Sequence, residues 1–592
     1  MQVTQILRSP QDGTTSHGPL SSKRKAAILA VLCISILMTT LDNTVLNVAL
    51  PTLARQLHST VSDLQWIVDA YTLVFAGLEI TAGNIGDRYG RKGILFGGMA
   101  VFGLGSAMSA FSTSSSELIA FRCVMGVGGA FVMPATLAVI MDVFVDPHER
   151  AKAIGIWSGA FGLGVAIGPI LGGILLAHYW WGSVFLINVP IVVFGLVAIA
   201  FLVPPSRDPR TRPPDPIGSM LSIAGIGMLV WGIIDVPING WGDPTVPAAM
   251  AAGAVIMGLM VLWERHSAHP MLNMSLFKKR RFTAAAASLT LTFFALAGVM
   301  FLMTQYMQSV LGYSPIHMGF AIAPVSVLLA GGAVLSSFLV PRIGTKIVVS
   351  VGLGAIIVGL LLLSSLTVKE QYTSLLAPLF LIGAGVGIAM PPSTDSIMGS
   401  FSHEESGVGS AMNGTALQLG GTLGVAVIGS MLNARYRAGI TPLLVGQKVP
   451  AQALHYIEGS LAGALAVAGY VSSHVNAKLG VELAAVAKHY FTIGVNQANL
   501  IGAGCTFLGV LIAFIFLPSR PHPEDQAREA ERLETAKRSY KTAPNTDSTT
   551  NAFAEHDHEV GQAESSASAS TKHSGNMPNH IADTDEAGTD ER

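Results

Sequence analysis

Ile191-Val192-Val193-Phe194-Gly195-Leu196-Val197-Ala198-Ile199-Ala200-Phe201-Leu202-Val203 carries no polar side chain, and Val351 to Leu363 has the same character later in the chain. Lipid offers no partner for an unpaired backbone group, so a stretch like this crosses a bilayer only as a helix or as a barrel strand. Barrel strands are about ten residues long and alternate apolar with polar. Neither stretch alternates, so both read as helices. Working outward from them, apolar runs of roughly 20 residues recur along the sequence, about the length that spans a hydrocarbon core.

Composition agrees. The chain has 592 residues, of which 51% are hydrophobic and 12% charged, with a mean hydropathy of +0.53, well outside the soluble globular range. A net charge of −1 supplies no basic face for a nucleic-acid partner. Cys33, Cys123 and Cys505 lie inside apolar runs without a CxxC pair, so neither a disulfide nor a metal site is expected. No Gly-x-x-x-x-Gly-Lys-[Ser/Thr] phosphate loop is present, and the histidines show no HExxH or other ligand spacing. ATP is therefore not the expected driver, and an enzyme is not the expected class. Basic residues precede the first apolar run, as in a signal peptide, but that run is too long and lacks a small-residue cleavage site; it reads as a first span.

Fourteen spans are predicted. Six lie at about 26–50, 63–83, 93–112, 116–141, 151–177 and 184–203. Two more fall at 217–237 and 246–264, and a second six at 282–310, 316–340, 346–366, 373–397, 407–431 and 497–517. The expected organisation is a cytoplasmic N-terminal segment (1–25), a six-helix bundle (26–203), a linker with two extra spans (204–281), a second bundle (282–517) and a tail (518–592). Short connections rich in Lys and Arg stay cytoplasmic. Lys23-Arg24-Lys25, Asp87 to Lys92, His148 to Lys152, Arg207 to Arg212, Lys278 to Arg281, and Arg342 with Lys346 fall on every second connection. Both termini are thus predicted cytoplasmic, in a plasma or inner membrane. By parity the stretch 432–497 is an outer loop, its Gly- and Ala-rich patch Leu461 to Val471 a re-entrant or hairpin-like element. The tail opens with a short charged helical stretch and then has a disorder composition.

Gly86-Asp87-Arg88-Tyr89-Gly90-Arg91-Lys92 follows the second span, and a degraded copy, Pro341-Arg342-Ile343-Gly344-Thr345-Lys346, follows the second span of the later six. Parallel repeats with a central site between them are a common transporter plan. Gly83 to Lys92 resembles the motif between the second and third helices of the major facilitator superfamily. The resemblance implies a conformational gate at Gly86, Asp87, Arg88, Gly90 and Arg91, whose cations pair with acids on the cytoplasmic side; a plain positive-inside loop is the simpler alternative. In the fifth span, Gly164, Gly168, Pro169, Gly172 and Gly173 resemble the superfamily's antiporter motif, which implies export. The same small residues also suit simple close packing, with Pro169 bending the helix.

Leu41-Asp42-Asn43-Thr44-Val45-Leu46-Asn47 looks like the signature of the fourteen-span drug:proton antiporters, similar to QacA-like and EmrB-like multidrug exporters. A carboxylate inside a span is a functional candidate by default. Asp42 is the first choice for exchanging a proton in competition with a cation, against a purely structural hydrogen-bonding role. Trp66-Ile67-Val68-Asp69-Ala70-Tyr71 places an aromatic ring and an anion one turn apart, where Trp66 and Asp69 suit a lipophilic cation; Trp66 also suits an interfacial anchor. Glu79 is a weaker candidate. Arg122, an isolated cation in the fourth span, resembles the family's proton-coupling motif and should have a partner, Asp42 or a cavity water. Met125 departs from that motif, where relatives usually have Gln. Asn413 and Gln418 stand where QacA-like exporters carry carboxylates. They read as polar cavity contacts or as helix-joining amides, and they make dications less expected than monocations or neutral lipophiles.

The expected protein is an all-α transporter with the major facilitator fold, a monomer driven by the proton gradient without a cofactor, exporting small lipophilic or cationic compounds. A dedicated exporter of an endogenous natural product is the nearest alternative. A transporter-like ligand sensor is the alternative from another class.

Overall fold

The computed structural model describes residues 21–206, 214–267, 270, 274–401, 406–444 and 449–518. Arg207 to Arg212, most of His269-Pro270-Met271-Leu272 and the tail after Pro518 lie outside the described residues. Among the described residues, fourteen helical segments are long and apolar enough to cross a membrane.

The first bundle contains α1 (Ser22–Gln56), α2 (Val61–Tyr89), α3 (Arg91–Ala110), α4 (Ser115–Val143) and α5 (Pro147–His178). Its sixth span is two pieces, α6 (Ser183–Leu186) and α7 (Asn188–Leu202), meeting at Ile187. The extra pair is α8 (Pro216–Asn239) and α9 (Thr245–His266). The second bundle contains α10 (Arg280–Gln305), which ends in a π-helical turn, Tyr306–Val310, then α11 (Pro315–Ile343), α12 (Thr345–Leu362), α13 (Tyr372–Met398) and α14 (Ser406–Leu444). Two short helices, α15 (Ala451–Gly459) and α16 (Leu461–His474), precede the last span, α17 (Ala477–Phe516).

The stretch expected as an outer loop, 432–497, is mostly helical. At about 1.5 Å per residue, α14 and α17 with 39 and 40 residues are each about 60 Å long, twice a ~30 Å hydrocarbon core. Their outer ends therefore project, and the Gly/Ala-rich patch packs as α16 against α17 instead of inserting alone. This projecting unit reaches the first bundle: a Cβ on Gly459 would stand 3.0 Å from Thr60 Cγ2, and the His58 and Tyr456 rings are 5.2 Å apart.

The internal repeat has a geometric counterpart. Helices α2 and α11 both stop at a glycine with positive φ, Gly90 at 126° and Gly344 at 83°, a backbone region that suits glycine and strains side chains. The same turn thus closes the second helix of each bundle.

Within the first bundle α2 and α3 pack on α4 and α1 on α5, while in the second α10 packs on α14 and α13 on α11 and α12. Small residues allow these crossings; a Cβ on Gly128 would lie 2.7 Å from the Gly98 carbonyl oxygen, a close approach typical of membrane helices. The extra pair is anchored to the first bundle by Asp215. Its carboxylate accepts from Gly218 N at 2.9 Å, capping α8, and from Trp263 Nε1 of α9 at 2.9 and 3.1 Å, while Thr81 Oγ1 of α2 donates to its carbonyl at 3.4 Å. Helix α8 packs on both α2 and α14, so the pair touches both bundles.

The bundles join at the end that carries the α1–α2 turn. Gln65 Nε2 of α2 donates to Val425 O at 3.1 Å, Ala426 O at 2.9 Å and Ser430 Oγ at 3.3 Å. Gln308 Nε2 donates to Val48 O at 2.9 Å, and Thr72 and Thr422 hydroxyls are 2.7 Å apart near mid-span. Toward the opposite end, at the α2–α3 turn, α5 and α11 carry uncovered positions. A Cβ on Gly155, Gly159 or Gly162 of α5 would meet nothing within 4 Å, and Val334 and Phe338 of α11 are 60% and 59% exposed.

Candidate functional site

Between the bundles lies a cavity walled by α1, α2, α4, α5, α10, α11 and α14. Its polar wall comes from Thr39, Thr40, Asn43, Thr44, Asn47, Tyr71, Thr72, Thr304, Ser326 and Gln418, and most of the remainder is apolar, including Phe75, Phe161, Phe293 and Met300. No wall residue is charged. A wide apolar surface with a few convergent polar groups is the usual form of a small-molecule site.

The charges sit one layer behind. Asp42 of α1 and Arg122 of α4 form an ion pair, and Asn188 Nδ2 of α7 donates to the other Asp42 oxygen at 3.0 Å. Arg122 Nε donates to Ile67 O at 3.1 Å, and the guanidinium carbon lies 4.3 Å from the Tyr71 ring centroid. A buried charge pair is tolerated only when its remaining hydrogen-bonding capacity is largely met, and here the carboxylate is doubly served. Tyr71 has two roles in this geometry: it walls the cavity and its ring covers Arg122. The Tyr71 side chain therefore lies between the cavity and the ion pair.

Gln418 thus lines the cavity, whereas Asp42, Trp66, Asp69 and Asn413 do not. Trp66 packs in an apolar patch with Val230 and Ile234 of α8 and Ala426 of α14. Asp69 is fully buried, four residues after Gln65 and hence on the helix face turned to α14, and neither of its carboxylate oxygens has a hydrogen-bond partner. Asn413 is one residue from the wall residue Gly414, and a helical step of one residue turns a side chain about 100° away.

The antiporter-motif glycines stack α5 on α1. Cβ atoms on Gly164 and Gly172 would lie 2.7 Å from Thr40 Cβ and 3.2 Å from Val45 Cγ1, and one on Gly168 would overlap Thr44. Gly173 faces α11, where its Cβ would stand 2.6 Å from Pro315 O, and Pro169 lines the cavity. At the cytoplasmic end, Arg91 Nε pairs with Asp87 Oδ1 at 2.7 Å, and Arg91 also pairs with Asp142 at the end of α4. The Arg91 backbone N–H donates to Ser206 O at 2.9 Å, and Arg88 lies beside the Tyr89 ring at 5.8 Å. Gly86 packs near Ile94, to which its Cβ would be 3.6 Å. Asn188 and Asp142 were not singled out from sequence. The signal for Asn188 is a lone amide beginning an apolar run, and for Asp142 an acid at the end of a span on the same side as the cations of the α2–α3 turn.

The Major Facilitator Superfamily model matches residues 32–425. The chain is 35% identical to the multidrug efflux pump LfrA of Mycolicibacterium smegmatis, over 80% of this chain and 93% of that protein. It is 31% identical to the tetracenomycin C resistance and export protein of Streptomyces glaucescens, over 71% and 78%, and 33% identical to the methyl viologen resistance protein SmvA of Salmonella typhimurium, over 70% and 84%. Among solved structures, a bacterial homolog of the human lysosomal transporter Spinster, in an inward-facing and unoccupied conformation, superposes with a TM-score of 0.58 at 18% identity, over 85% of this chain and all of that one. Fold, repeat and sequence agree: this many-span membrane protein belongs to the Major Facilitator Superfamily.

Proposed function

We propose that the chain is a proton-coupled antiporter that exports small lipophilic or cationic compounds. The observation that carries this reading is the Tyr71 partition, with an amphipathic cavity on one side and the buried Asp42–Arg122 pair on the other. A proton arriving at Asp42 cancels its charge and loosens its hold on Arg122. The guanidinium then needs another partner, and Tyr71, whose ring covers it, is free to shift with it. That movement changes the cavity wall, so the proton and the substrate compete through one side chain. The relatives named for efflux, export and resistance support the drug-exporter class. In this reading both termini, like the cation-rich loops, face the cytoplasm of a plasma or inner membrane, the monomer is the working unit, the proton gradient replaces any cofactor, and no covalent chemistry is performed on the substrate.

The uncharged cavity wall also supports a second reading, export of a neutral natural product made by the same cell. The test is efflux of a fluorescent lipophilic cation from cells expressing the chain, with and without a protonophore, beside Asp42→Asn at equal membrane expression. Protonophore-sensitive efflux that Asp42→Asn abolishes supports the mechanism. Efflux that survives both removes Asp42 and the proton gradient from it, and absence of efflux turns the assignment to the neutral product.

A further inference from the structure

Helix α2 turns one stripe toward the cavity: Val68, Tyr71, Thr72 and Phe75 are wall residues, and the next position of that stripe, four residues after Phe75, is Glu79. Its side chain is 1% exposed, and Oε2 has no hydrogen-bond partner. The carboxylate lies against Gly414 of α14, where a Cβ would stand 2.7 Å from Glu79 Cδ. Gly414 is itself a wall residue of the cavity. Any side chain there would occupy the position that the carboxylate holds, so glycine at 414 is what lets an acid from α2 reach the α14 wall. On either side in sequence, Asn413 Oδ1 and Thr415 Oγ1 are also buried without a partner.

Asp42 does not offer this. Its oxygens are taken by Arg122 and Asn188, so a positive substrate meets a neutralised pair there. A carboxylate oxygen buried in a span without a partner, as Glu79 Oε2 is, is costly, and a cation beside it removes that cost where a neutral molecule does not. On the export reading, Glu79 also lies on the cytoplasmic side of Phe75, the side from which substrate enters. Resting on the export reading above, we propose that Glu79 is the residue that reads substrate charge. It contacts a lipophilic monocation through the gap at Gly414 and sets the preference for cations over neutral compounds of the same shape.

The test is equilibrium binding to purified full-length protein, using tetraphenylphosphonium and a neutral tetraaryl analogue of equal size as probes, with Glu79→Gln and Glu79→Asp beside the parent. The expected result is that Glu79→Gln lowers the cation-to-neutral affinity ratio about ten-fold or more, while Glu79→Asp, which keeps the charge, retains most of it. An unchanged ratio in Glu79→Gln overturns the proposal, as does an equal fall in both variants, which marks a packing role, or a parent that does not prefer the cation. Because binding is read without a gradient, these outcomes are separate from the protonophore experiment. Coupling fails there with Glu79 intact, and Glu79 fails here whether or not the protein couples to protons.

Discussion

Arg122 and Asp42 pair across α4 and α1 with side chains 0% and 1% exposed. Removing one member of a buried pair leaves the other charged and unpartnered, which costs about 3–5 kcal/mol, whereas replacing both by neutral groups of similar volume costs far less. Arg122→Met is therefore expected to lower the thermal unfolding midpoint sharply, and Arg122→Met combined with Asp42→Asn to recover most of the loss while transport stays abolished. Additive losses in the double variant would show that the pair is not coupled.

Close packing of α5 on α1 gives the second prediction. Gly168→Leu places a side chain into Thr44, while Gly155→Leu enters open space in this arrangement. Overpacking a tight contact typically costs ~1–3 kcal/mol or more, so Gly168→Leu is expected to lower stability in detergent and to abolish efflux, with Gly155→Leu leaving the unfolding midpoint near the parent value. Equal effects at the two positions would remove the motif's packing role.

Much of this was legible in the sequence, and the limits have a physical cause. Gly90 and Gly344 were visible as a repeat because a turn with positive φ is a local demand on residue type. Arg122 was expected to have a partner because an isolated charge in an apolar run needs one. Which residues face the cavity was harder to read. A helix buried on most sides can hold polar residues against any of several neighbours, so the rotation of α2 and α14 about their axes depends on residues far away in sequence. Thus Gly414, not Asn413, lines the wall, and Asp69 turns to the α14 seam while Glu79 lies behind the wall against Gly414. The segment of α15 was read as loop and that of α16 as a re-entrant or hairpin-like element because each is too short to count as a span, although long neighbours support them.

At the cytoplasmic end, Arg91 serves two acids, Asp87 and Asp142, and locks the α2–α3 turn to α4. Arg91→Gln is expected to cut efflux at least about ten-fold, since hydrogen bonds to charged groups contribute roughly 1.5–3 kcal/mol each. Arg91→Lys is expected to restore little, because a point-like ammonium does not span two carboxylates as a guanidinium does. Initial efflux rates at matched expression check both. Full rescue by lysine would reduce the role of Arg91 to loop charge alone.

The outer seam makes the final prediction. Gln65 holds α14 through three acceptors, two of them backbone carbonyls, and these contacts exist only while the outer side is closed. Net contributions of about 1 kcal/mol per hydrogen bond place the whole cluster at roughly 1–3 kcal/mol, which converts to about a 5- to 150-fold change in the ratio of inward- to outward-open states. Gln65→Leu removes the donors while keeping similar bulk, and leaves the α14 carbonyls to their own helical bonds. The variant is therefore expected to populate the outward-open state. Spin labels at Gln56, exposed at the end of α1, and Ala438, exposed on α14, both outside the seam, should report a new longer distance in the variant. The inner ends of α5 and α11 should move closer in the same sample, because opening outside and closing inside are one rigid-body motion of the two bundles. Lengthening outside without shortening inside would mean that the seam frays locally and that Gln65 does not control alternation.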